Sequence, residues 1–235
     1  MDNYQTFENP KALSLAFAQL FAVWSRLKKP LHVALSGGST PRLLFELWGS
    51  EYLHTIDWSA FHFWWGDERC VPPDHPESNY KMAWGLFLSK LDIPADQIHR
   101  IRGEADPERE AKRYAEELAT HLPMSNGWPV FDLILLGMGE DGHTASIFPD
   151  QIDLFYSQEY CVVAQHPQSG QLRVSFTGGV LNQAQEVAFL VTGAAKATIV
   201  SAIFNQQEGW MAYPAALVKA RELTWYLDDA AAGAL

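Results

Sequence analysis

His143 is the side chain in this sequence best equipped to move a proton, and Asp141 stands two residues before it in GMGEDGHTASIFP, residues 137–149. A neutral imidazole, with an ordinary pKa of about 6.5, can take a proton from water near pH 7, and a nearby carboxylate can hold the ring in one tautomer. Upstream, residues 133–136 (LILL) form an unbroken apolar run, which predicts a strand buried on both faces of a parallel sheet. Gly137, Gly139 and Gly142 then let the chain turn sharply, bringing Asp141 and His143 to a strand's carboxyl end, where open α/β sheets bind ligands. The competing structural reading makes Asp141 a helix cap and His143 a space filler. GMGEDG also satisfies G-x-G-x-x-G, yet Pro149 cuts short the crossover helix of a dinucleotide fold. The next apolar run, residues 160–165, also ends without an acid for a ribose.

Other candidates favour an anionic ligand. The apolar run 31–35 leads straight into Ser36, Gly37, Gly38, Ser39, Thr40 and Pro41, and a helical stretch follows over residues 42–48. Strand, glycine turn, hydroxyl pair and helix-initiating proline together describe a phosphate cradle, with exposed amides and the helix dipole facing the anion. The bland alternative is a capped turn that binds nothing. No Walker lysine follows the glycines, which disfavours a nucleoside triphosphate. After the predicted strand 61–65, residues 66–73 (GDERCVPP) read as a long polar loop closing at Ser78, Asn79 and Tyr80. Arg69 there can grip a phosphate or carboxylate in two-pronged fashion, with Asp67 and Glu68 orienting it or touching sugar hydroxyls; a plain surface ion pair is the alternative. Asp67, Glu68 and His75 match no metal-ligand spacing. Arg173 alternates with apolar neighbours in the strand 172–176 and so has a strand face of its own, on solvent or on the floor of a site. Lys196 is expected in the first turn of a helix, where the dipole disfavours a cation unless an anion compensates it.

The elements that must position these residues follow from the rest of the chain. Asn9 and Pro10 read as cap and first residue of a packing helix over residues 11–27, and a second helix is expected over residues 78–88. A charged helix begins near Pro107, further strands are expected at 160–165, 187–191 and 223–227, and Asp228 starts a short terminal helix. Residues 214–218 are expected to help finish the sheet. With 235 residues, 48% of them hydrophobic and 13% aromatic, the chain can build a sizeable core, and the absence of linkers and repeats predicts one domain over residues 1–235. A net charge of −11 argues against nucleic acid or an anionic membrane as partner, so an anionic ligand must be held by a few placed cations against the global field. No apolar run approaches a membrane span, and the first residues lack the form of a secretion signal. Two cysteines, Cys70 and Cys161, form no disulfide framework, which suits a reducing cytoplasm, and Cys70 beside Arg69 reads as a spectator thiol.

Taken together, LSGGSTP (35–41), GDER (66–69), SNY (78–80), GMGEDGHTASIFP (137–149), TGAAK (192–196) and PAALV (214–218) resemble the motifs of the 6-phosphogluconolactonase family, in order along nearly the whole chain. The related glucosamine-6-phosphate deaminases carry a DEY-type loop and a DGH followed by IAFNEP; this chain has DER and TASIFP instead. The resemblance implies a three-layer α/β/α sandwich with a modified Rossmann-type, mostly parallel sheet. It implies hydrolysis of 6-phospho-D-glucono-1,5-lactone in the oxidative pentose phosphate pathway, without metal or organic cofactor, by a cytoplasmic monomer or small homo-oligomer. His143 is then the expected general base, oriented by Asp141, and Arg69 steadies substrate and developing charge. Gly37, Gly38, Ser39, Thr40, Asp67, Arg173 and Lys196 are the expected substrate and phosphate contacts. No G-x-S-x-G nucleophile elbow is present, which fits attack by water rather than by a serine.

Overall fold

The structure, a computed structural model, describes residues 3–27 and 30–235. Strand β1 (Asn3–Phe7) leads into helix α1 (Pro10–Trp24), where Asn9 accepts a hydrogen bond from the Ala12 amide at 2.9 Å and Pro10 fills a position that needs no N–H. Strand β2 (Leu31–Leu35), helix α2 (Ser39–Trp48) and strand β3 (Phe61–Trp65) follow, and Gly66 alone separates β3 from β4 (Asp67–Arg69). Helices α3 (Asn79–Leu86) and α4 (Pro107–His121) come next. A small hairpin, β5 (Met124–Ser125) and β6 (Trp128–Pro129), delivers the chain to β7 (Leu133–Leu136). The remainder runs β8 (Cys161–Gln165), β9 (Leu172–Phe176), α5 (Gly178–Gln183), β10 (Glu186–Val191), α6 (Ala197–Phe204), β11 (Glu222–Asp228) and α7 (Asp229–Ala232).

Six of these strands form one sheet in the order β1-β11-β10-β7-β2-β3, with every neighbouring pair parallel. All four residues of β7 are buried, as its unbroken apolar sequence requires. From β2 the chain steps outward to β3 and then returns to β7 on the other side of β2. The strand order therefore reverses between β2 and β7, and the segments leaving their carboxyl ends part around a crevice.

Side chains alternate between the two layers that cover this sheet. Tyr226 meets Phe17 of α1 edge-on at 5.2 Å, whereas its neighbour Trp225 turns the other way to Phe204 of α6 at 5.5 Å. In β3, Phe61 stacks on Phe21 of α1 at 4.3 Å, while Trp64 faces Tyr114 of α4 at 5.9 Å. Helices on both faces of a parallel sheet make the three-layer sandwich. A second, antiparallel sheet, β4-β9-β8, stands at the carboxyl end of the first, with Gly66 linking the two: its amide donates to Leu35 O at 3.0 Å and its carbonyl accepts from Phe176 N at 2.8 Å.

Three local expectations are corrected, and one strand without a sequence signal is added. Helix α1 stops at Trp24, not at residue 27, as Ser25 turns its hydroxyl back to Ala22 O. Residues 67–69, read as loop, are a strand because β9 supplies the partner. Residues Pro214–Leu217 form a 3-10 turn rather than part of the sheet. The true edge strand is β1, whose residues are almost all exposed and whose partner, β11, comes from the other end of the chain.

Candidate active site

Each wall of the crevice comes from a segment leaving a strand's carboxyl end. After β2, Gly38 adopts φ +107°, a conformation that disfavours any side chain, and ushers in α2 with no side-chain cap on its first turn. The amides at the start of α2 are thereby left to an incoming anion. Gly37, Gly38, Ser39 and Thr40 all line a cavity of about 200 Å³. The loop after β10 closes beside them: Thr192 and Thr40 share a hydroxyl hydrogen bond at 2.7 Å, and Lys196 lines the same cavity. Lys196 ends a 3-10 turn (Ala194–Lys196) and stands immediately before α6, so the expected helix start is one residue further on. Burial lowers its pKa, and the negative charges of Glu140 and Asp141 oppose that shift.

The segment after β7 holds the imidazole. His143 Nδ1 lies 2.6 Å from Asp141 Oδ1, and the same oxygen accepts the His143 backbone amide at 3.1 Å. Burial pushes the Asp141 carboxyl up, but the hydrogen bonds and charge of His143 outweigh it and hold the group at about 2. An ionised carboxylate only accepts, which assigns the proton to Nδ1 and leaves Nε2 as the basic nitrogen. His143 lines the cavity; Asp141 stands behind it. Gly139 is needed here for close approach: a Cβ would fall 2.1 Å from His143 Nδ1 and 2.4 Å from Asp141 Oδ1. No helix starts at Asp141, so the capping alternative is not what the chain adopts.

Strands β4 and β9 contribute the remaining charges. Arg69 and Arg173 are directly opposed in the antiparallel ladder and both line the cavity. Like charges on one face of such a pair repel unless an anion joins them. Both arginines keep a buried Nε without a partner among the described residues. Arg69 is held through Nη1 to Glu77 O at 2.7 Å, and Arg173 lies over the Phe148 ring at 5.6 Å. Asp67 also lines the cavity, while Glu68 does not. Alternation along β4 turns Glu68 inward, where its carboxylate accepts from the amides of Arg69, Asn79 and Tyr80 at 2.8 Å each and from the Ser78 hydroxyl at 3.0 Å. The suggested sugar contact by Glu68 is thus corrected: this group fastens α3 to β4. Burial raises its pKa against those four bonds. Cys70, beside Arg69, is pushed up to about 11 by burial first and by Glu68 and Glu110 next, so it is an unreactive thiol at neutral pH.

Sequence reasoning missed three residues here. Asn79 lines the cavity and donates from Nδ2 to Asp67 O at 3.0 Å; Thr192 bridges two loops; Ser146 Oγ donates to Asp67 Oδ2 at 2.7 Å. All three lay inside motifs already noticed, SNY, TGAAK and GMGEDGHTASIFP, but nothing in their types distinguishes them. Among the described residues no three His, Cys, Asp or Glu side chains are grouped as metal ligands, and no helix is long and apolar enough to cross a membrane.

A family model described as glucosamine-6-phosphate isomerases/6-phosphogluconolactonase matches residues 8–225. Over 232 residues the chain is 48% identical to a 6-phosphogluconolactonase of Haemophilus influenzae, covering 97% of this chain and 98% of that one. A second such protein, from Aggregatibacter actinomycetemcomitans, is 46% identical over 233 residues, covering 98% of each. The 6-phosphogluconolactonase structure from Trypanosoma brucei superposes with a TM-score of 0.88 at 30% identity, covering 100% of this chain and 99% of that one.

Proposed function

Because the chain belongs to the glucosamine-6-phosphate isomerase and 6-phosphogluconolactonase family, we propose that it hydrolyses 6-phospho-D-glucono-1,5-lactone to 6-phospho-D-gluconate, in the oxidative pentose phosphate pathway, with His143 activating the attacking water. The observation that carries the mechanism is the Asp141–His143 pair, its ring lining a cavity that also holds the start of α2 and three cations.

A lactone carbonyl is already electrophilic, so the protein must position a water, remove its proton and stabilise the oxyanion. Nε2 of His143 takes a proton from water as oxygen attacks C1, and the C=O π electrons move to the carbonyl oxygen. Arg69, which lines the cavity, faces that developing charge with its guanidinium. When the tetrahedral intermediate collapses, the C1–O5 bond breaks and the imidazolium returns its proton to O5. Asp141 keeps the ring oriented and balances its transient positive charge. Ser39 and Thr40 at the head of α2, with Lys196 and Arg173, hold the phosphate, and Gly37 and Gly38 admit it close to the backbone. Asp67 contacts sugar hydroxyls with its remaining lone pairs. This division has the reacting ester and the phosphate share one cavity, with Arg69 and Arg173 side by side. The free thiols of Cys70 and Cys161 accord with a cytoplasmic setting.

A turnover assay on freshly generated lactone, following proton release, tests the reading; rapid acid production above the spontaneous rate is expected. Ammonia release from glucosamine 6-phosphate without lactone hydrolysis would instead make it a deaminase. Binding of sugar phosphate with neither activity would make it a sensor.

A further inference from the structure

Arg173 and Asp67 are a buried cation and a buried carboxylate in adjacent strands, and no direct ion pair between them is formed. Between them sits the Ser146 hydroxyl, which donates to Asp67 Oδ2 at 2.7 Å and accepts from Arg173 Nη1 at 3.4 Å. The second contact is long and weak; the first is short, with a charged acceptor. Ser146 has no freedom to move aside. It is fully buried, its backbone amide donates to Ser175 Oγ at 3.1 Å, and it follows Ala145, which holds a left-handed φ of +48°. Phe148 lies under the Arg173 guanidinium and also against the His143 ring at 4.7 Å, so the two functional groups share one supporting side chain.

From this geometry we infer that Ser146 is a positioning residue, whose hydroxyl occupies Asp67 and prevents Arg173 from pairing with it, so that the guanidinium stays available to the phosphate of the substrate. Without the hydroxyl, Asp67 and Arg173 have every reason to meet. A buried guanidinium beside a carboxylate forms a two-pronged pair, which takes two of its five N–H donors and neutralises the charge a ligand would meet. What this arrangement preserves is an Arg173 side chain that lines the cavity without being paired to Asp67. The inference rests on the reading of Arg173 as a phosphate contact and adds the residue that keeps it in that role.

Steady-state kinetics of Ser146→Ala on freshly generated lactone, with competitive inhibition by inorganic phosphate as the second readout, provide the test. The KM for lactone and the inhibition constant of phosphate are expected to rise together by about tenfold, the scale of one hydrogen bond to a charged group, while kcat stays within about threefold. A merely structural serine would lower thermal stability or kcat without moving the two binding constants in parallel. If Ser146→Ala does not fold, Ser146→Cys keeps most of the volume, replaces the hydroxyl with a weak thiol donor, and is read in the same way. Arg173→Ala separates the two levels of the argument. If it weakens phosphate while the Ser146 variants leave both constants unchanged, the positioning role is wrong and the phosphate site stands. If Arg173→Ala itself leaves phosphate inhibition unchanged, the reading of Arg173 is wrong and the role of Ser146 falls with it.

Discussion

At the scale of single residues, the proposed chemistry divides between a group that changes protonation state during turnover and one that must not. Asp141, held at about 2, stays ionised at neutral and mildly acidic pH, so it is a fixed negative charge beside the ring. Replacing His143 by Ala is expected to lower kcat by about 10²–10⁴-fold with KM nearly unchanged, the range of general-base catalysis, and full activity in a folded variant would remove the assignment. Asp141→Asn keeps an acceptor for Nδ1–H but removes the charge that balances the imidazolium, so kcat should fall. An unchanged kcat argues against the pairing. Lys196→Ala should chiefly raise KM, and measuring kcat alongside it shows whether the lysine belongs with the phosphate or with the reacting ester. His143, Arg69 and the Gly37–Thr40 turn were legible because glycine spacing and isolated charges are unusual in sequence. Ser146 and Thr192 were not, since their significance comes from Asp67 and Thr40, residues 79 and 152 positions away.

At the scale of elements, the site depends on a strand of three residues. Strand β4 carries Asp67 and Arg69 toward the cavity and Glu68 away from it, and Glu68 then gathers the first amides of α3. All four groups around its carboxylate are donors, so Glu68→Gln puts an amide NH2 against N–H groups. Loss of about 1–3 kcal/mol of stability for each donor left unsatisfied is expected, together with a fall in kcat/KM as Arg69 and Asn79 lose their frame. Thermal unfolding and kinetics on the same preparation test this; a variant as stable and active as the parent would show that Glu68 does not organise the strand. The longer elements β2, β3, β7 and β9 could be read from their apolar runs. Strands β4 and β1 could not, because a short polar segment becomes a strand only through its partner, here β9 and β11.

At the scale of the whole molecule, the two ends of the parallel sheet do different work. The carboxyl ends hold the cavity, and the amino ends hold titratable groups that take no part in it. His32 and His62 face each other at the second positions of β2 and β3, with rings 4.8 Å apart; His62 Nδ1 lies 3.2 Å from His99 Nε2, and His99 reaches Glu117 at 2.9 Å. Burial, and then the positive charge His62 can carry, lower His32 to about 4 against the pull of Asp132. Its folded form binds fewer protons than the unfolded chain between about pH 6.5 and 4, so its contribution to stability falls as pH drops through that window. Glu186, at the first position of β10, has the opposite sign. Burial and its neighbour Glu222 raise it to about 7, so the folded protein takes up a proton there first and gains stability as pH falls from 7 toward 4.5. Both groups are half-buried, so solvent screening keeps each effect modest, and the two act in opposite directions in the native protein. Single substitutions should separate them. His32→Asn, which keeps an acceptor for Trp64 Nε1, should make stability rise on acidification from pH 7 to 5, and Glu186→Gln should make it fall over the same range. Urea denaturation at several pH values measures both slopes. Depressed carboxylates such as Asp141 and Glu117 lose their contribution only below their unfolded values of 3.8 and 4.5, so they do not obscure the window above pH 5. If both variants track the native curve from pH 7 to 5, these two half-buried groups at the amino end of the sheet do not carry effects of opposite sign.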